Sequence, residues 1–418
     1  MTNLKPQLGP KPLDLFQRIG SLADAMDVRV YVVGGFVRDL LLGKSVMDID
    51  LMVEGSAVDL AQQTAKIYKV TASAESQFGT VALELMDGFR LDFATCRKET
   101  YTKPAALPDV ARGTLEEDLL RRDFTINSMA LPINGVSAYE LIALSGAEED
   151  LKRGLIRAHH AQSFRDDPCR ILRGLRFQNR LNFRWEPDSE GWMRDALEQK
   201  MPGQLSGVRF WNEFKLAFTE DNAVGCLHLF RKEGLIAYLA SEITDSETGW
   251  EALGRVGSCL DEGSVVDFPY LYLLALTSHL SEETLKEIAG RLQWNRQLKN
   301  RLSADSHTIE ERLGRLQDAS ALSDWDIHQV FDALSPEALA CVFARFNDNR
   351  VFAWYGAYCK NRSRARIELT GNDLALMGVA AGPVFAAILK GLRRARFEGV
   401  VNSREDEARW VREHYLSS

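Results

Sequence analysis

Two aspartates separated by a single residue are the first side chains of this chain whose spacing could support chemistry. Asp48 and Asp50 lie in an apolar, β-prone stretch, so both carboxylates should point to the same side of one strand. Like charges held this close repel each other, and a divalent cation would remove the repulsion. Hard oxygen ligands suit Mg²⁺, so the pair predicts a magnesium site. The alternative is two solvated side chains, which is the commoner fate of an isolated Asp-x-Asp.

The residues that precede this pair would have to position it. Residues 28–55 read as a strand, a tight glycine turn, a short helix and a second strand. Gly34 and Gly35 break the first strand and leave backbone N–H groups uncovered, and Arg38 follows about one helical turn later. Because an acidic pair, a glycine turn and an arginine occur so close together, we interpret the stretch as a site for phosphate and metal.

Two further stretches carry arginines where an anionic ligand could use them. Arg121 and Arg122 precede an apolar strand, where they could clamp a triphosphate in bidentate fashion or merely keep the surface soluble. Farther along, Arg170, Arg173 and Arg176 recur every three residues, which predicts that they share one face of a helix.

The start of that helix offers a second kind of recognition. Asp167 suits the N-cap and Pro168 the first helical position. Asp167 only accepts hydrogen bonds and Arg170 only donates them, so the two together complement the amino group and ring nitrogen that cytosine and adenine share. Uracil or guanine would leave buried polar groups unpaired, at roughly 1–3 kcal/mol per group. The alternative is that Asp167 only caps the helix.

Composition limits the class of protein. The 418 residues are 45% hydrophobic and 26% charged, enough for about two to four packed units. No apolar run of about 18 residues occurs, so no membrane span is expected. The six cysteines lack Cys-x-x-Cys spacing, which favours reduced thiols in the cytoplasm. The net charge of −8 does not suggest nucleic acid, but residues 151–184 contain nine Lys or Arg and only two acidic side chains.

These motifs resemble those of class II tRNA nucleotidyltransferases and bacterial poly(A) polymerases. The first motif of that family, Gly-Gly-x-Val-Arg-Asp followed by Leu-Leu-Gly and Asp-x-Asp, is complete from Gly34 to Asp50. The second, Arg-Arg-Asp-Phe-Thr-Ile-Asn, is complete from Arg121 to Asn127. The fourth motif matches except that Asp166 replaces a glutamate. The Asp-Pro-Phe-Gly-Gly that usually stands before the third motif is replaced by Ala-Leu-Ser-Gly-Ala.

The resemblance implies a fold class and a division of the chain. We expect an α/β N-terminal head with the mixed sheet of polymerase β-like nucleotidyltransferases, followed by an all-α neck, body and tail. The head is placed at residues 1–145 and the neck, with its nucleotide-selecting helix, at 146–222. The helical body follows at 223–325 and an RNA-binding helical tail at 326–418. The polar connection at 97–120 corresponds to the family's flexible loop.

The resemblance also implies roles for the site residues. Asp48 and Asp50 would hold two catalytic Mg²⁺ ions, with Asp92 either a third carboxylate or an ordinary exposed strand residue. The triphosphate or ribose would be bound by Gly34, Gly35, Arg38 and one of Arg121 and Arg122, and the base pocket would be formed by Asp167, Arg170, Arg173 and Arg176.

The implied reaction adds nucleotides of the 3′-terminal CCA to tRNA from CTP and/or ATP, with release of pyrophosphate, in the cytoplasm. The basic neck and tail would hold the tRNA acceptor stem, no membrane is involved, and the oligomeric state stays open. The alternatives are an A-adding or CC-adding specialist, a poly(A) polymerase and, from a different class, a non-catalytic RNA-binding relative. The connection at 97–120 favours an ability to add A, because CC-only members generally lack a working loop there.

Overall fold

The computed structural model describes residues 2–44, 47–75, 79–260, 265–317, 322–332, 334–346, 348–380 and 382–416. The chain divides into two compact units, Met1–Tyr238 and Leu239–Ser418. The boundaries predicted after residues 145, 222 and 325 stay predictions.

The first unit combines strands with helices, and the second is helical. The strands are β1 (Arg29–Val33), β2 (Asp48–Glu54), β3 (Thr80–Glu84), β4 (Arg90–Thr95), β5 (Arg97–Thr100), β6 (Asp109–Arg112), β7 (Met129–Pro132), β8 (Ile142–Ala143), β9 (Leu155–Ile156) and β10 (Arg184–Trp185). The α-helices of the first unit are α1 (Pro10–Ala25), α2 (Gly35–Leu41), α3 (Ala57–Tyr68), α4 (Leu115–Leu120), α5 (Ala147–Arg153), α6 (Ser163–Asp166), α7 (Cys169–Leu181), α8 (Pro187–Glu198), α9 (Gly207–Phe214) and α10 (Ala223–Lys232). Those of the second unit are α11 (Ser241–Asp245), α12 (Glu247–Val256), α13 (Phe268–Thr277), α14 (Glu282–Arg291), α15 (Arg296–Gln317), α16 (Asp324–Phe331), α17 (Pro336–Phe346), α18 (Asn349–Asn361), α19 (Gly371–Leu376), α20 (Pro383–Phe397) and α21 (Arg404–Val411).

Six strands form one mixed sheet in the order β3-β4-β2-β1-β7-β8. β2 and β4 run parallel, and the other neighbours are antiparallel. Val30 and Val32 of β1 are fully buried on one face. α1 packs against β1, and α3 packs against β2, β3 and β4. Val33 and Met52 lie on the opposite face and pack with residues of α4. That second face therefore continues into the acidic end of β2.

The predicted order of elements between residues 28 and 55 is confirmed: β1, a glycine turn, α2 and β2 follow one another. Amphipathic spacing in the sequence predicts a helix at Ala57–Tyr68, and α3 has these bounds. It begins where the Ser56 hydroxyl accepts the Asp59 N–H, and it ends at Lys69, whose φ of 54° leaves the helical region.

Two predictions for the head were wrong. The β-prone residues 69–74 of the sequence predict a strand, but the segment is irregular. The Ser73 hydroxyl accepts the Ala82 N–H, which a backbone carbonyl would accept in a ladder. The connection at 97–120 contains the antiparallel pair β5–β6 and then α4. The charged residues of this ribbon show no apolar period, whereas α4 is marked by a capping box between Thr114 and Glu117.

Beyond the head the chain is mostly helical, as predicted. Amphipathic spacing in the sequence predicts helices at 271–280, 281–292, 298–316 and 326–332. They correspond to α13, α14, α15 and α16, with bounds that differ by a few residues. The two-residue parallel pair β9–β10 is the exception in the segment assigned to the neck. The fold-class prediction is confirmed. In the part of the chain that the structure describes, no helix has the length and apolar character to cross a membrane.

Candidate active site

The acidic pair lies at the exposed start of β2. Asp48 and Asp50 are both exposed, and Ile49 between them is fully buried, so the strand turns both carboxylates to the same face as predicted. The parallel register places Asp92 of β4 beside Asp50. Asp92 accepts a hydrogen bond from Arg90 Nε at 3.1 Å. Three carboxylates therefore share one face, but the third already has a cationic partner.

The surroundings of Asp50 are electrostatically unbalanced. Protein atoms packed around its carboxyl remove part of the hydration and so raise its pKa, although the residue keeps an exposed surface. Asp92 and Asp48 raise the pKa further, while Arg122 and Arg173 lower it without cancelling the rise. Among the described residues, the carboxylates of Asp48 and Asp50 accept no hydrogen bond and join no ion pair. Both carboxylates are thus free to ligate a cation, which would relieve their repulsion.

The donor set fits a divalent cation that keeps part of its ligand shell outside the protein. Within the described residues, no group of three or more His, Cys, Asp or Glu side chains is arranged to hold a metal ion. Mg²⁺ is commonly bound through one or two carboxylates, with water and substrate phosphates completing the octahedron. Asp48 and Asp50 are the residues that would hold it.

The glycine turn brings an arginine against the acidic pair. Gly34 has φ +67°, and a Cβ at this position would lie 2.7 Å from Arg122 Nη1 and 3.8 Å from Asp50 Oδ2. A side chain here would be strained and would displace the guanidinium, so glycine is required. A Cβ at Gly35 would lie 3.6 Å from Arg38 Nη2, which is ordinary contact.

The two adjacent arginines have different surroundings. Arg121 donates from Nε and Nη2 to Asp118 Oδ1, at 2.9 and 2.7 Å, and from Nη1 to Glu99 at 3.0 Å. Arg122 donates only from Nη2, to Asp118 Oδ2 at 3.0 Å, and its buried Nε has no hydrogen-bond partner among the described residues. Arg122 therefore has donor capacity facing Gly34 and Asp50, and Arg121 does not.

Arg38 is buried and joins several elements. It donates to both oxygens of Asp39 at 2.8 Å and to Asn127 Oδ1 at 2.6 Å. Its guanidinium lies 5.2 Å from the ring centre of Phe177, which also has Arg180 at 5.1 Å. The side chain thus connects α2 to the second motif and to α7, and binding of triphosphate or ribose by Arg38 stays a prediction.

Arg173 connects the acidic pair to the arginine helix. Its Nε donates to Asp123 Oδ2 at 2.8 Å, and Asn127 Nδ2 donates to Asp123 Oδ1 at 2.9 Å. Burial alone would raise the pKa of Asp123, but Arg173, Asn127 and Arg170 outweigh it and hold that pKa at about 2. Asp123 in turn raises the pKa of Arg173. Since Arg173 also lowers the pKa of Asp50, the two predicted centres lie within electrostatic range of each other.

Asp167 and Arg170 lie on the same segment but have different partners. Asp167 Oδ1 accepts the Cys169 N–H at 3.0 Å, which is the predicted capping role, and Arg209 Nη2 at 2.8 Å. Arg170 is buried and donates to Ser163 Oγ at 2.5 Å and to the Arg121 carbonyl at 2.8 Å. The Arg170 N–H donates to the Asp167 carbonyl at 3.1 Å, but the two side chains form no hydrogen bond or ion pair with each other. Joint reading of a base by these side chains therefore stays a prediction.

Two further arginines of the basic stretch pair with carboxylates that lie outside it. Arg176 is held by Glu220 at 2.8 Å and by Glu213 at 3.5 Å, and Arg157 makes a two-point contact with Asp150. The local shortage of acidic residues suggested unpaired cations, but their partners come from other segments. The membership of Arg176 in a base pocket stays a prediction.

Sequence reasoning gave no role to several residues that shape this site. Asp123 anchors Arg173, and Arg209 donates to the Ala105 carbonyl at 2.6 Å as well as to Asp167. Tyr101 donates to Glu99 at 3.1 Å, and its pKa is raised to about 12, first by burial and then by Glu99 and Asp167 against the effect of Arg170. The sequence does contain a sign of the role of Asp123: an acidic residue directly before a buried apolar run needs a cationic partner.

Comparison with known proteins places this geometry in context. Residues 30–157 match the family described as the poly A polymerase head domain. An A-adding tRNA nucleotidyltransferase from Geobacter sulfurreducens is 31% identical over 412 residues, 96% of this chain and 47% of the relative. Another from Aquifex aeolicus is 35% identical over 321 residues, 75% of this chain and 38% of the relative. The chain spans less than half the length of these two relatives.

Solved structures match the chain over most of its length. A crystal structure of a tRNA nucleotidyltransferase with a primer tRNA and an incoming ATP analogue is 31% identical, with a TM-score of 0.68 over 82% of this chain and 98% of that one. A CCA-adding enzyme in complex with ATP is 27% identical, with a TM-score of 0.78 over 100% of this chain and 99% of that one.

Proposed function

The chain belongs to the family of class II tRNA nucleotidyltransferases and bacterial poly(A) polymerases, and from that premise we propose that it adds nucleotides of the 3′-terminal CCA to tRNA. The donors are CTP and/or ATP, and pyrophosphate is released. The observation that carries this proposal is the unpaired Asp48 and Asp50 pair, which faces Arg122 across the glycine turn and is linked by Arg173 to the helix that begins after Asp167.

The carboxylate pair is the metal-binding part of the site. Enzymes of this family are generally metal-dependent, and we infer that the metal is Mg²⁺. When bound, Mg²⁺ supplies Lewis-acid chemistry that acidifies the RNA 3′-hydroxyl and neutralises charge on the triphosphate. Asp48 and Asp50 hold it on the open face of the sheet, and Asp92 adds negative potential from the next strand.

The protein's own cations bind and orient the nucleotide. Arg122 holds the triphosphate with the donors that no described side chain uses, while Gly34 keeps the space between this guanidinium and Asp50 open. Asp167 and Arg170 read the base. To do so, each side chain must break some of the hydrogen bonds that it makes in this structure. Arg209 is positioned to hold Asp167 during that exchange.

The partner is the 3′ end of tRNA, approached through the acceptor stem. All six cysteines are free, which is consistent with the cytoplasm as the place of reaction. RNA stems are bound mostly by shape and backbone charge, so the base-reading groups act on the incoming nucleotide and not on the stem.

A substrate series tests the proposal directly. tRNA transcripts ending at the discriminator base, at C and at CC are incubated separately with each labelled NTP and Mg²⁺. Ordered incorporation of C, C and A supports full CCA synthesis. An absence of incorporation with all three ends and all four nucleotides would refute transfer altogether and leave a non-catalytic RNA-binding relative.

A second candidate is an A-adding specialist, favoured by the A-adding relative from Geobacter sulfurreducens that matches 96% of this chain. In the same series this function predicts incorporation of a single A on the transcript ending in CC and nothing on the other two. Incorporation of C alone would identify a CC-adding enzyme, and long A tails on unrelated RNA would identify a poly(A) polymerase.

A further inference from the structure

A fully buried carboxylate on α4 contacts the two adjacent arginines with different oxygens. Asp118 is 0% exposed, and its Oδ1 accepts Arg121 Nε at 2.9 Å and Arg121 Nη2 at 2.7 Å. The backbone N–H of Arg97 also donates to Oδ1, at 3.4 Å. Asp118 Oδ2 accepts Arg122 Nη2 at 3.0 Å. One oxygen therefore serves Arg121 and the backbone, and the other serves Arg122.

The helix that carries Asp118 is fixed before any ligand binds. Thr114 and Glu117 form a capping box at its start, and the Leu115 N–H donates to Glu54 Oε1 at 3.0 Å. Leu115 also packs in the buried apolar cluster on this face of the sheet. Because α4 is anchored at its first turn and along its apolar side, Asp118 offers Arg122 an acceptor with a fixed position.

The contact with Asp118 determines the direction in which Arg122 points. Arg122 has no second acceptor among the described residues, and its buried Nε has no partner there. It lies within electrostatic range of Asp50, yet the two form no ion pair in the described part of the chain. Its Nη1 lies instead 2.7 Å from the position that a Cβ on Gly34 would occupy. Since a guanidinium is planar and rigid, anchoring Nη2 restricts where the other donors point.

Arg122 depends on Asp118 more than Arg121 does. Arg121 Nη1 also pairs with Glu99 at 3.0 Å, and Arg97 Nη2 pairs with Glu99 at 2.9 Å. Three guanidiniums thus share two carboxylates, which leaves one positive charge in excess. Without Asp118, Arg121 would keep an anionic partner, whereas Arg122 would be left with none among the described residues.

We propose that Asp118 is a positioning residue, which directs the free donors of Arg122 toward the triphosphate of the incoming nucleotide. Its own carboxylate is buried and occupied, so it does not touch the nucleotide. The inference rests on the proposed function and adds how the phosphate-binding arginine of that site is oriented in advance. A donor that is already oriented reduces the ordering cost that ligand binding must otherwise meet.

A double-mutant cycle between Asp118 and Arg122 tests the proposal. The wild type, Asp118→Asn, Arg122→Gln and the variant with both changes are titrated with ATP and Mg²⁺ without RNA, so that no transfer takes place. CTP replaces ATP if the substrate series shows addition of C alone. Asparagine keeps the shape of the side chain but replaces one acceptor oxygen with a donor group. Its oxygen should stay where three donors meet Oδ1, so the donor group faces Arg122.

If Asp118 acts through Arg122, the effect of Asp118→Asn should depend on the residue at position 122. With Arg122 present, Asp118→Asn should weaken nucleotide binding roughly tenfold. With Arg122→Gln in place, the same change should alter Kd by less than about twofold, because there is no guanidinium left to orient. A purely structural role would give the same factor in both backgrounds and would overturn the proposal. So would a folded Asp118→Asn variant that binds the nucleotide as the wild type does.

The matched control is Glu116→Gln, which neutralises an exposed carboxylate of the same helix that makes no ion pair with any described residue. Its Kd should stay within about twofold of the wild type. An effect equal to that of Asp118→Asn would mean a general loss of negative charge and would contradict the proposal. If Asp118→Asn melts below the assay temperature, Asp118→Glu replaces it in the same cycle, because it keeps the charge but moves the carboxylate by one methylene.

The cycle and the substrate series fail independently. If the positioning role is wrong, the cycle shows no coupling in a protein that still incorporates nucleotides. If the proposed function is wrong, the substrate series shows no incorporation, whatever coupling the cycle gives.

Discussion

The acidic end of β2 and the arginine face of α7 carry opposite charges, and they differ in how much of that charge is already paired. Asp48 and Asp50 have no ion-pair partner among the described residues, whereas Arg173 and Arg176 are held by carboxylates of distant segments. The unpaired carboxylates beside the glycine turn are available to bind a ligand. The paired arginines of α7 instead hold α7 and its neighbours in position around that site.

The largest effect on nucleotide transfer is expected when one carboxylate of the unpaired Asp48 and Asp50 pair is neutralised. Asp50→Asn keeps the size of the side chain but removes a metal ligand, so transfer should fall by at least about 10³-fold, which is about 4 kcal/mol. Labelled-nucleotide incorporation measures the rate, and filter binding should show that tRNA is still bound. Asp87→Asn, in the exposed turn before β4, should leave the rate within about twofold. Near-normal transfer by Asp50→Asn would remove the basis of the metal assignment.

The two neighbouring arginines should separate ligand binding from stability. Arg122→Gln should weaken nucleotide binding by about 10- to 100-fold, because it removes the donors that face Gly34. Arg121→Gln should instead lower Tm, because Asp118 and Glu99 each lose one of their cationic partners. Nucleotide titration and thermal unfolding of both variants provide the comparison. The reverse pattern would assign the phosphate to Arg121.

The ion pair between Asp123 and Arg173 should make the stability of the fold depend on pH. Because the pKa of Asp123 lies below its ordinary value, at about 2, its contribution to stability is complete above pH 4 and is lost as the pH falls from 4 to 2. That contribution is about 2 kcal/mol. Arg173→Gln removes the strongest cause of the lowering, so urea unfolding at pH 5, 4, 3 and 2 should show a smaller loss in the variant. Parallel losses in both proteins would mean that this ion pair is not the source.

The smallest effect is expected at Asp167 and Arg170, the residues proposed to read the base. Arg170→Ala should reduce the preference for ATP and CTP over GTP and UTP by roughly tenfold, about 1.4 kcal/mol. Arg209→Gln should act in the same direction but more weakly, because it only loosens Asp167. Competition between labelled nucleotides measures the preference, with exposed Arg165→Ala as control and circular dichroism to verify folding. Unchanged selection in Arg170→Ala would argue against the template.

The sequence predicted those features that depend on local patterns. Alternation around Asp48 and Asp50 gave the strand and the shared face, because the period of two in a strand needs no knowledge of the rest of the fold. The bounds of α3 followed from its amphipathic spacing alone, and the structure adds the Ser56 cap. The adjacent glycines located the turn, since Gly34 has a positive φ.

Features that depend on distant contacts could not be read in this way. The partner of Arg176 is Glu220, 44 residues farther along, so a local count of acidic residues suggested free cations where ion pairs exist. Arg209 reaches Asp167 across 42 residues, and nothing in the spacing of either motif indicates the contact. The ribbon β5–β6 escaped prediction because its strands bury little apolar surface, so they lack the alternation by which strands are recognised.

The parallel pairing of β2 with β4 has a consequence for folding errors. Ile49 sits opposite Leu91 and Leu51 opposite Phe93, while Asp50 sits opposite Asp92. A shift of β2 by one residue would place the carboxylates of Asp48 and Asp50 in the apolar core, and it would expose the side chains of Ile49 and Leu51 to water. Molecules with this shifted register would therefore be too unstable to accumulate. The packing of the apolar residues thus also fixes which face of the sheet carries the carboxylates.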